Sequence, residues 1–217
     1  MRLINFVEFS RKIVGVGRNY LAHVKEMKYA NKPESPIIFL KPPSSFAING
    51  SSIKYPKGCS NLQHEVELAI VIGSRGSDIT ENTAWDHVGG YTIALDMTAR
   101  DWQSEAKEKG LPWSRAKGSD TFCPVGNFIP KEKIADIENQ QIWCKVNGQM
   151  RQDGNTKDMI FKIPFLISHI SSFFTLEPGD VILTGSPGGT GSVKPGDTIE
   201  IGLSDLVKAS FPIIAKQ

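Results

Sequence analysis

The sequence predicts an α+β fold that is rich in β-strands and has short helices. Three observations predict it. Apolar runs of strand length lie between glycines and prolines, as in "HEVELAIVIG" at residues 64–73. Asn147 and Gly148 separate two strand-like runs, which indicates a tight hairpin. The segments "EPGDVILT" (177–184) and "KPGDTIEI" (194–201) each place a Pro-Gly turn before a strand, which indicates an antiparallel, β-rich second half.

The first half of the chain predicts four strands and two helices. "KIVGVGRNY" predicts a strand over residues 12–16 that ends in a glycine-containing loop, and "YLAHVKEMKYA" predicts a short helix of good helix formers. "PIIFLKPPSSF" predicts a strand stopped by Pro42 and Pro43. After the "HEVELAIVIG" strand, "GGYTIALDM" predicts a further strand and "MTARDWQSEAKEKG" a helix that ends at Gly110.

The middle of the chain predicts a long loop, and the segment after the hairpin predicts a helix. "LPWSRAKGSDTFCPVGNFIP" is broken repeatedly by glycine and proline, and a loop of this length is usually functional. "IPFLISHISSFF" predicts a helix with Pro164 at its first position. Its apolar stripe consists of Ile163, Ile167, Ile170 and Phe174. No linker or low-complexity segment interrupts the chain, which predicts one domain over residues 1–217.

Composition is typical of a soluble globular protein. The 217 residues are 40% hydrophobic and 22% charged, with a net charge of +2. No run of lysine and arginine indicates nucleic-acid binding, and no apolar run approaches the ~18 residues that would span a membrane. Cys59, Cys123 and Cys144 are widely spaced and form no CxxC pair, which predicts buried, inert thiols in a reducing compartment.

The N-terminal segment "MRLINFVEFSRK" lacks the long apolar core of a secretory signal. It mixes basic and apolar residues as a short mitochondrial presequence does, although Glu8 argues against this interpretation. Composition alone favours the alternative, an ordinary first strand or helix.

Two acidic residues stand at the start of an apolar strand. Glu65 and Glu67 are two positions apart, so their side chains should share one face of the strand, roughly 6.5–7 Å apart at the backbone. Burial makes their repulsion costly, and a divalent cation between them would remove that cost. Position alone favours a solvated edge or basic partners. His64 should face the other way, and Leu68 stands where HExxH needs its second histidine, so oxygen ligands for Mg²⁺, Mn²⁺ or Ca²⁺ are indicated rather than a zinc site.

A third oxygen ligand is available at Asp96, which ends the strand "GGYTIAL" and opens the helix after it. Arg100 and Gln103 follow at i+4 and i+7, so one helix face could carry all three groups. An acid, a guanidinium and an amide on one face are typical of an anion-binding site. The alternative for Asp96 is a helix N-cap. The separation from Glu65, 96 − 65 = 31 residues, allows adjacent strands to bring the acids together.

Other candidates carry weaker patterns. His23 and Glu26 lie at i and i+3 of the first predicted helix, where a carboxylate beside an imidazole could form a general base. Spacing alone favours a surface salt bridge for this pair. Lys117 is a lone lysine in the long loop, and such lysines are usually solvated. "GVGRNY" and "TGSPGGTG" lack the complete nucleotide-binding patterns and indicate close backbone approaches beside a site.

A spaced series of segments resembles the fumarylacetoacetate hydrolase family from about residue 12 to about residue 211. The series comprises "GRNYLAHVKEM", "FLKPPSSF", "HEVELAIVIG", "GGYTIALDMTARD", "LPWSRAKGSDTFCPVG", "MIFKIPFLISHIS" and "LEPGDVILTGSPGGTG". The resemblance implies a mixed β-roll with short flanking helices, a homodimer, and a site for Mg²⁺ with Mn²⁺ as a substitute. Together with the N-terminal pattern it also implies a mitochondrial localisation, with the cytosol as the alternative.

The resemblance also implies roles for particular residues. It implies metal ligation by Glu65, Glu67 and Asp96, and catalysis by His23, Glu26 and Lys117. It implies substrate contacts by Arg18, Arg100, Gln103 and Ser186. Ser186 departs from the family's usual threonine, which keeps the hydroxyl group but removes a methyl group that would pack on the substrate.

The activity implied by the resemblance is metal-dependent cleavage of carbon–carbon bonds in small 2-oxo acids. It comprises hydrolysis of acylpyruvates, such as acetylpyruvate or fumarylpyruvate, to pyruvate and a carboxylic acid, and decarboxylation of oxaloacetate to pyruvate. One alternative is an isomerase or decarboxylase of longer 2-oxo dienoates. The other is a non-catalytic module that binds metal or oxo acid.

Overall fold

The computed structural model describes residues 3–26 and 33–216, and for residues 23–25 it describes the backbone alone. In these ranges the α-helices are α1 (Phe6–Phe9), α2 (Leu21–Glu26), α3 (Arg100–Glu108), α4 (Ser114–Lys117) and α5 (Ile163–Ser171). Short 3₁₀-helices cover Leu3–Asn5, Pro43–Ser45, Glu81–His87, Lys131–Lys133, Ile137–Asn139 and Thr156–Asp158. The helices are short, so strands form most of the regular secondary structure in the described ranges.

The described strands are, in chain order, β1 (Ile13–Gly17), β2 (Ile37–Lys41), β3 (Phe46–Ile48), β4 (Ile53–Tyr55), β5 (Leu62–His64), β6 (Val66–Ile72), β7 (Val88–Leu95), β8 (Thr98–Ala99), β9 (Cys123–Val125), β10 (Ile129–Pro130), β11 (Gln141–Val146), β12 (Gln149–Asn155), β13 (Val181–Leu183), β14 (Gly191–Val193), β15 (Thr198–Leu203) and β16 (Val207–Ala215). Parallel and antiparallel pairs both occur, which confirms the predicted mixed, β-rich α+β class.

The largest sheet has the order β2-β1-β13-β6-β7-β9-β3, with β10 also paired to β7. Its centre is the antiparallel pair β6–β7, in which Val66 lies opposite Leu95. Every residue of β6 is buried, because the sheet is covered on both faces. Leu68, Ile70 and Ile72 join the main core, whereas Ala69 and Val71 join a second cluster on the opposite face. This buried strand pair is the rigid base beside which the candidate site lies.

The remaining strands form a sheet of order β12-β11-β15-β16-β4 and a small sheet of order β14-β5-β8. Strands β11 and β15 pack toward β6 and β7, so the main core lies between the two larger sheets. The hairpin β11–β12 turns at Asn147 and Gly148, whose φ angles of 51° and 76° confirm the predicted turn. Gly179 and Gly196 also have positive φ angles, 87° and 95°, as the Pro-Gly turns require.

Several element predictions need correction. The segment predicted as one long loop contains α4, β9 and β10, because its prolines and glycines separate short elements rather than excluding them. The "HEVELAIVIG" strand is interrupted at Glu65, between β5 and β6. Lys162 is the N-cap of α5, which puts Pro164 at the second helical position rather than the first. The helix predicted from Tyr20 onward is described only as far as Glu26, and its remainder lies outside the described residues.

The stripe predicted for α5 is buried at Ile163, Ile167 and Ile170, which belong to the main core. The described part of the chain contains no helix long and apolar enough to cross a membrane.

We predict that Ile70→Ala lowers the free energy of unfolding by about 2–5 kcal/mol, because Ile70 is fully buried at the centre of β6 and its truncation leaves a cavity. Urea denaturation followed by circular dichroism measures the change. Ile214→Ala is the matched control, since Ile214 is 44% exposed on β16 and should change stability by about 0.5 kcal/mol. Equal losses in the two variants would contradict the assignment of the core.

Candidate active site

Three carboxylates meet where strand β6 begins and strand β7 ends. Glu65 lies immediately before β6, Glu67 lies in it, and Asp96 follows β7. The Asp96 backbone N–H donates to the Glu65 carbonyl over 2.8 Å, which continues the antiparallel pairing of the two strands. The prediction that adjacent strands bring Asp96 to the glutamates is confirmed. The two glutamates also point the same way, although the strand breaks at Glu65.

The three side chains form a compact, buried oxygen cluster. One carboxylate oxygen of each lies within 4.8 Å of the others, and the residues are 5%, 2% and 1% exposed for Glu65, Glu67 and Asp96. Three like charges at this spacing and burial repel strongly unless cations compensate them. A solvated edge is therefore wrong for Glu65 and Glu67, whereas the basic partners that position also favoured are present for Glu65, in Arg100 and Lys117.

Lys117 lies against this cluster as a buried ammonium group. Its Nζ donates to Glu65 Oε2 over 2.9 Å, to Thr98 Oγ1 over 2.7 Å, and to Asp96 Oδ2. Burial opposes the charge of Lys117, but the carboxylates of Asp96 and Glu65 outweigh it, so its pKa is raised above the ordinary value. The general expectation that a lone loop lysine is solvated is wrong here, because Lys117 ends the one-turn helix α4 and faces inward.

Two further cations contact the cluster. Arg100 donates to Glu65 Oε1, to Gln63 Oε1 over 2.8 Å and to Gln103 Oε1 over 2.7 Å. Lys41, fully buried at the end of β2, places its Nζ 2.6 Å from Asp96 Oδ1, at ion-pair distance but outside hydrogen-bond geometry. Lys41 also donates to the Lys117 carbonyl, which ties β2 to α4.

Glu67 differs from the other two acids. The Gly185 backbone N–H donates to its Oε2 over 2.6 Å, and among the described residues no basic side chain forms an ion pair with it. Burial raises the pKa of Glu67 well above its usual range, and the neighbouring charges of Asp96 and Glu65 raise it further. A divalent cation bound by the cluster would supply the positive partner that the Glu67 carboxylate lacks. The residues present therefore fit an oxygen-ligand site for an ion such as Mg²⁺ or Mn²⁺.

The helix after β7 begins later than predicted. Its N-cap is Ala99, so Asp96 is neither the N-cap nor part of the helix, and β8 separates them. Arg100 and Gln103 are on one face of α3 as predicted, and they contact each other there. Asp96 joins them from the sheet side rather than along the helix.

The cluster forms the floor of a cleft that opens to solvent. Lys117 Nζ lies 4.7 Å from the ring centroid of Phe39, and the Phe39 and Trp113 rings are 6.0 Å apart. The cleft is lined by Val16, Gly17, Arg18, Ile37, Phe39, Glu65, Glu67, Asp96, Arg100, Gln103, Lys107, Trp113, Lys117 and Ser186. Eight of the ten predicted site residues thus line one cleft. The roles assigned to them stay predictions.

The other two predicted residues lie on α2. Glu26 Oε2 accepts a hydrogen bond from the Gly189 N–H over 3.0 Å, which attaches this helix to the loop after β13. The side chain of His23 lies outside the described residues, so the predicted His23–Glu26 pair stays a prediction. Gly185 and Gly189 in that loop have φ angles of 96° and 91° and approach neighbouring backbone closely, as "TGSPGGTG" predicted.

His64 and the cysteines lie outside the acid cluster. His64 is buried, and its Nδ1 lies 2.9 Å from Gln152 Oε1, so it does not point at the carboxylates' cleft. Burial lowers the pKa of His64. All three cysteines are free and buried, as predicted, and burial raises the pKa of Cys59 to about 11 and of Cys123 and Cys144 to about 12.

Sequence reasoning missed Lys41, Gln63, Thr98 and Gln152. Gln63 and Thr98 each lie two residues from a predicted ligand, Glu65 and Asp96, so strand spacing was a signal for them. Lys41 also carried a signal, because it is a charged residue inside an apolar strand directly before two prolines. Gln152 carried none, since its contact with His64 bridges 88 residues of sequence.

The fold and the cluster define a class of strand-rich proteins with a buried acidic site that could hold a divalent metal ion. The chain belongs to the fumarylacetoacetate hydrolase family: the family described as "Fumarylacetoacetate (FAA) hydrolase C-terminal" matches residues 12–214. The mitochondrial oxaloacetate decarboxylase of Dictyostelium discoideum is 54% identical over 215 residues, covering 98% of each chain. The human mitochondrial oxaloacetate tautomerase FAHD1 is 51% identical over 211 residues, covering 97% of this chain and 95% of the relative.

Among solved structures, fumarylpyruvate hydrolase from Pseudomonas aeruginosa, in complex with Mn²⁺ and pyruvate, has a TM-score of 0.90. It is 34% identical, with 95% of this chain and 91% of that chain covered. These similarities identify the chain as an enzyme of the family, and its predicted fold is confirmed. The Dictyostelium and human relatives are both named as mitochondrial proteins, which confirms the predicted mitochondrial localisation.

We predict that Gly185→Ala lowers the free energy of unfolding by about 1–3 kcal/mol, because Gly185 has φ 96° and an added Cβ would lie 2.6 Å from Asn19 Cβ. It should also weaken Mn²⁺ binding, since the Gly185 N–H holds Glu67. Gly188→Ala in the same loop is the control, because its added Cβ would make ordinary contacts from 3.5 Å outward. Urea denaturation and calorimetric Mn²⁺ titration report both effects, and a fully stable Gly185→Ala protein would refute the prediction.

Proposed function

We propose that this enzyme converts small 2-oxo acids in the described cleft, with oxaloacetate decarboxylation and acylpyruvate hydrolysis as its reactions. The observation that carries the proposal is the buried cluster of Glu65, Glu67 and Asp96 among the cations of one cleft. The names of the relatives support oxaloacetate as a substrate, and the name of the structural neighbour supports a pyruvate-releasing hydrolysis.

The three carboxylates would hold Mg²⁺, with Mn²⁺ as a substitute. When bound, the ion supplies Lewis acidity to the 2-oxo and carboxylate oxygens of the substrate. The buried position of Glu65, Glu67 and Asp96 excludes bulk water, which strengthens every electrostatic contact in the site.

Arg100 and Gln103 would orient the substrate carboxylate. Three of the five N–H groups of the Arg100 guanidinium contact Glu65, Gln63 and Gln103, and the others are available to a carboxylate in the cleft. Arg18, which lines the same cleft at a positive φ of 61°, would contact a more distal part of the substrate, and Ser186 would contribute its hydroxyl group.

Lys117 would stabilise the negative charge that develops on the pyruvate enolate. All three N–H bonds of its ammonium group are engaged by Glu65, Asp96 and Thr98. A substrate oxyanion would therefore have to replace one of these acceptors. We assign Lys117 the role of a hydrogen-bond donor and counter-charge, because its ammonium group already donates to two carboxylates and a hydroxyl group.

Acylpyruvate hydrolysis needs a base that activates water, and we assign this role to His23 assisted by Glu26. Both are carried by α2, which is attached to the site loop through Glu26 and Gly189. Decarboxylation of oxaloacetate requires no attacking water, so it should depend less on His23. The two reactions would share the acid cluster and differ in their use of α2.

A second candidate activity is tautomerisation of oxaloacetate between its enol and keto forms. The name of the human relative supports it, and the chemistry overlaps because enol and enolate charge develop at the same oxygen. Absorbance of the enol form distinguishes tautomerisation from pyruvate release. Activity on longer 2-oxo dienoates remains an alternative, and a non-catalytic binding module would show no turnover with any of these substrates.

The resemblance further supports one catalytic domain over residues 1–217 that assembles as a homodimer, and we propose both arrangements. Analytical ultracentrifugation of the whole chain would measure the assembly state.

We predict that oxaloacetate turnover requires a divalent ion. EDTA should abolish enzymatic pyruvate release, and added Mg²⁺ or Mn²⁺ should restore it, because we propose that the ion held by the acid cluster supplies the Lewis acidity for the reaction. Reactions without protein at the same metal concentration correct for spontaneous decarboxylation. Glu67→Gln, which keeps the shape but removes the charge, should lose activity at every metal concentration tested. Undiminished turnover in EDTA would contradict the proposed function.

A second prediction separates the two reactions. Glu65→Ala should abolish both, whereas His23→Ala should lower acetylpyruvate hydrolysis by about 10²-fold or more and decarboxylation by much less. Steady-state rates of both reactions on the same preparations measure the difference. Equal losses from His23→Ala would defeat the division of roles between α2 and the acid cluster.

A further inference from the structure

Gln152 is a buried amide that the proposed mechanism does not use. It is the one buried residue of strand β12, whose other residues are exposed or half-buried. A polar side chain at the single inward position of an edge strand does not serve apolar packing. The side chain of Gln152 instead crosses to the site loop and to the start of β6.

The Gln152 side chain makes four hydrogen bonds. Its Oε1 accepts from the Val66 backbone N–H over 3.0 Å and lies 2.9 Å from His64 Nδ1. Its Nε2 donates to Ser186 Oγ over 2.8 Å and to the Pro187 carbonyl over 2.9 Å. All four bonds lie inside the protein, and Gln152 is fully buried.

These partners fix the orientation of the amide. The Val66 N–H can only donate, and the Pro187 carbonyl can only accept, so the oxygen must face Val66 and the NH₂ group must face Pro187. His64 Nδ1 therefore carries a hydrogen and donates it to the same oxygen. An inverted amide would leave two buried backbone groups without partners, which is energetically costly.

The fixed amide determines the direction of the Ser186 hydroxyl group. Because Ser186 Oγ accepts a hydrogen from Gln152, its own hydrogen remains to be donated elsewhere. Among the described residues none accepts that hydrogen, and Ser186 lines the cleft. Ser186 is thereby prepared as a donor to a substrate oxygen.

The other end of the amide holds the backbone between two acids of the cluster. Val66 separates Glu65 from Glu67, and its N–H is fixed by Gln152 while the Glu65 carbonyl accepts from the Asp96 N–H. The Glu65–Val66 peptide group, which lies between the two acidic residues, is therefore held from both sides. Loss of one of these contacts would let the two side chains separate.

We propose that Gln152 is a positioning residue that fixes both the Glu65–Glu67 geometry and the donor direction of Ser186. The effect on the KM for oxaloacetate rests on the proposed function. The effect on Mn²⁺ affinity can be measured without substrate turnover. The close packing of β12 on the site loop supports it, since a Cβ added at Gly189 would lie 2.1 Å from the Arg151 carbonyl oxygen and one at Gly154 would lie 2.5 Å from Pro187 Cβ.

The test compares Gln152→Met, Ser186→Ala and the double variant. Mn²⁺ affinity is measured by calorimetry on protein without substrate, and KM and kcat for oxaloacetate are measured at saturating Mn²⁺. Gln152→Met should raise the Mn²⁺ Kd about tenfold, the usual effect of removing a group that orients metal ligands. It should also raise KM about tenfold, the equivalent of one lost hydrogen bond.

Ser186→Ala should raise KM to a similar degree and leave the Mn²⁺ Kd unchanged. The double variant should then have the KM of Ser186→Ala and the Mn²⁺ Kd of Gln152→Met, because Gln152 acts on the substrate only through Ser186. Ser171→Ala is the stability control: it removes a buried hydroxyl that bonds Ile79 and Ser168, away from the cleft, and should change neither constant.

If Gln152→Met does not fold, Gln152→Glu provides the second variant. It keeps an oxygen that accepts from Val66 but replaces the NH₂ group, so KM should rise without a loss of Mn²⁺ affinity.

A Gln152→Met protein that binds Mn²⁺ as the wild type does, or multiplicative effects of the two substitutions on KM, would overturn the inference. Absence of turnover in the wild type would instead defeat the proposed function, while the Mn²⁺ comparison would still decide whether Gln152 positions the acids.

Discussion

The burial of three carboxylates at one point is the constraint on which the rest of the structure depends. Glu65, Glu67 and Asp96 are nearly inaccessible and lie within 4.8 Å of one another, so their charges cannot be compensated by water. Each needs a cation or a fixed donor from the protein. The positions of α3, α4 and β2 follow from this need, because they deliver Arg100, Lys117 and Lys41 to the cluster.

The charges are accommodated by two kinds of element, the rigid strands β6 and β7 and the glycine-containing loop after β13. Strands β6 and β7 are buried on both faces and fix the backbone positions of the three acidic residues. The loop after β13 adjusts to them through glycines, since the Gly185 N–H can reach Glu67 only because that residue has no Cβ to meet Asn19. The same loop contacts Glu26 of α2 and Gln152 of β12, so one segment connects the acid cluster to both sides of the cleft.

The strands and the acids could be predicted from the sequence, because both depend on local pattern. Alternating or continuous apolar runs, the Asn147–Gly148 turn and the two Pro-Gly turns each specify their own backbone. The partners of the acids could not be predicted in the same way. Lys41 and Gln152 reach the site across 55 and 86 residues from Asp96 and Val66. The apolar strand around Lys41 indicates that it is buried but not which acid it meets, and nothing local separates Gln152 from an exposed glutamine. The helix α4 was missed because Pro112 and Gly118 enclose a single turn.

The charge balance of the cluster explains why a metal ion and a dianionic substrate would suit the same site. Three carboxylates face three cations, Lys41, Arg100 and Lys117, so the cluster is close to neutral when all are ionised. A bound divalent ion would add two positive charges in a low-dielectric cleft, where they attract an anion strongly. Oxaloacetate carries two negative charges and acetylpyruvate carries one. The positive charge that a bound ion would place beside Glu67 would therefore also favour the dicarboxylate substrate.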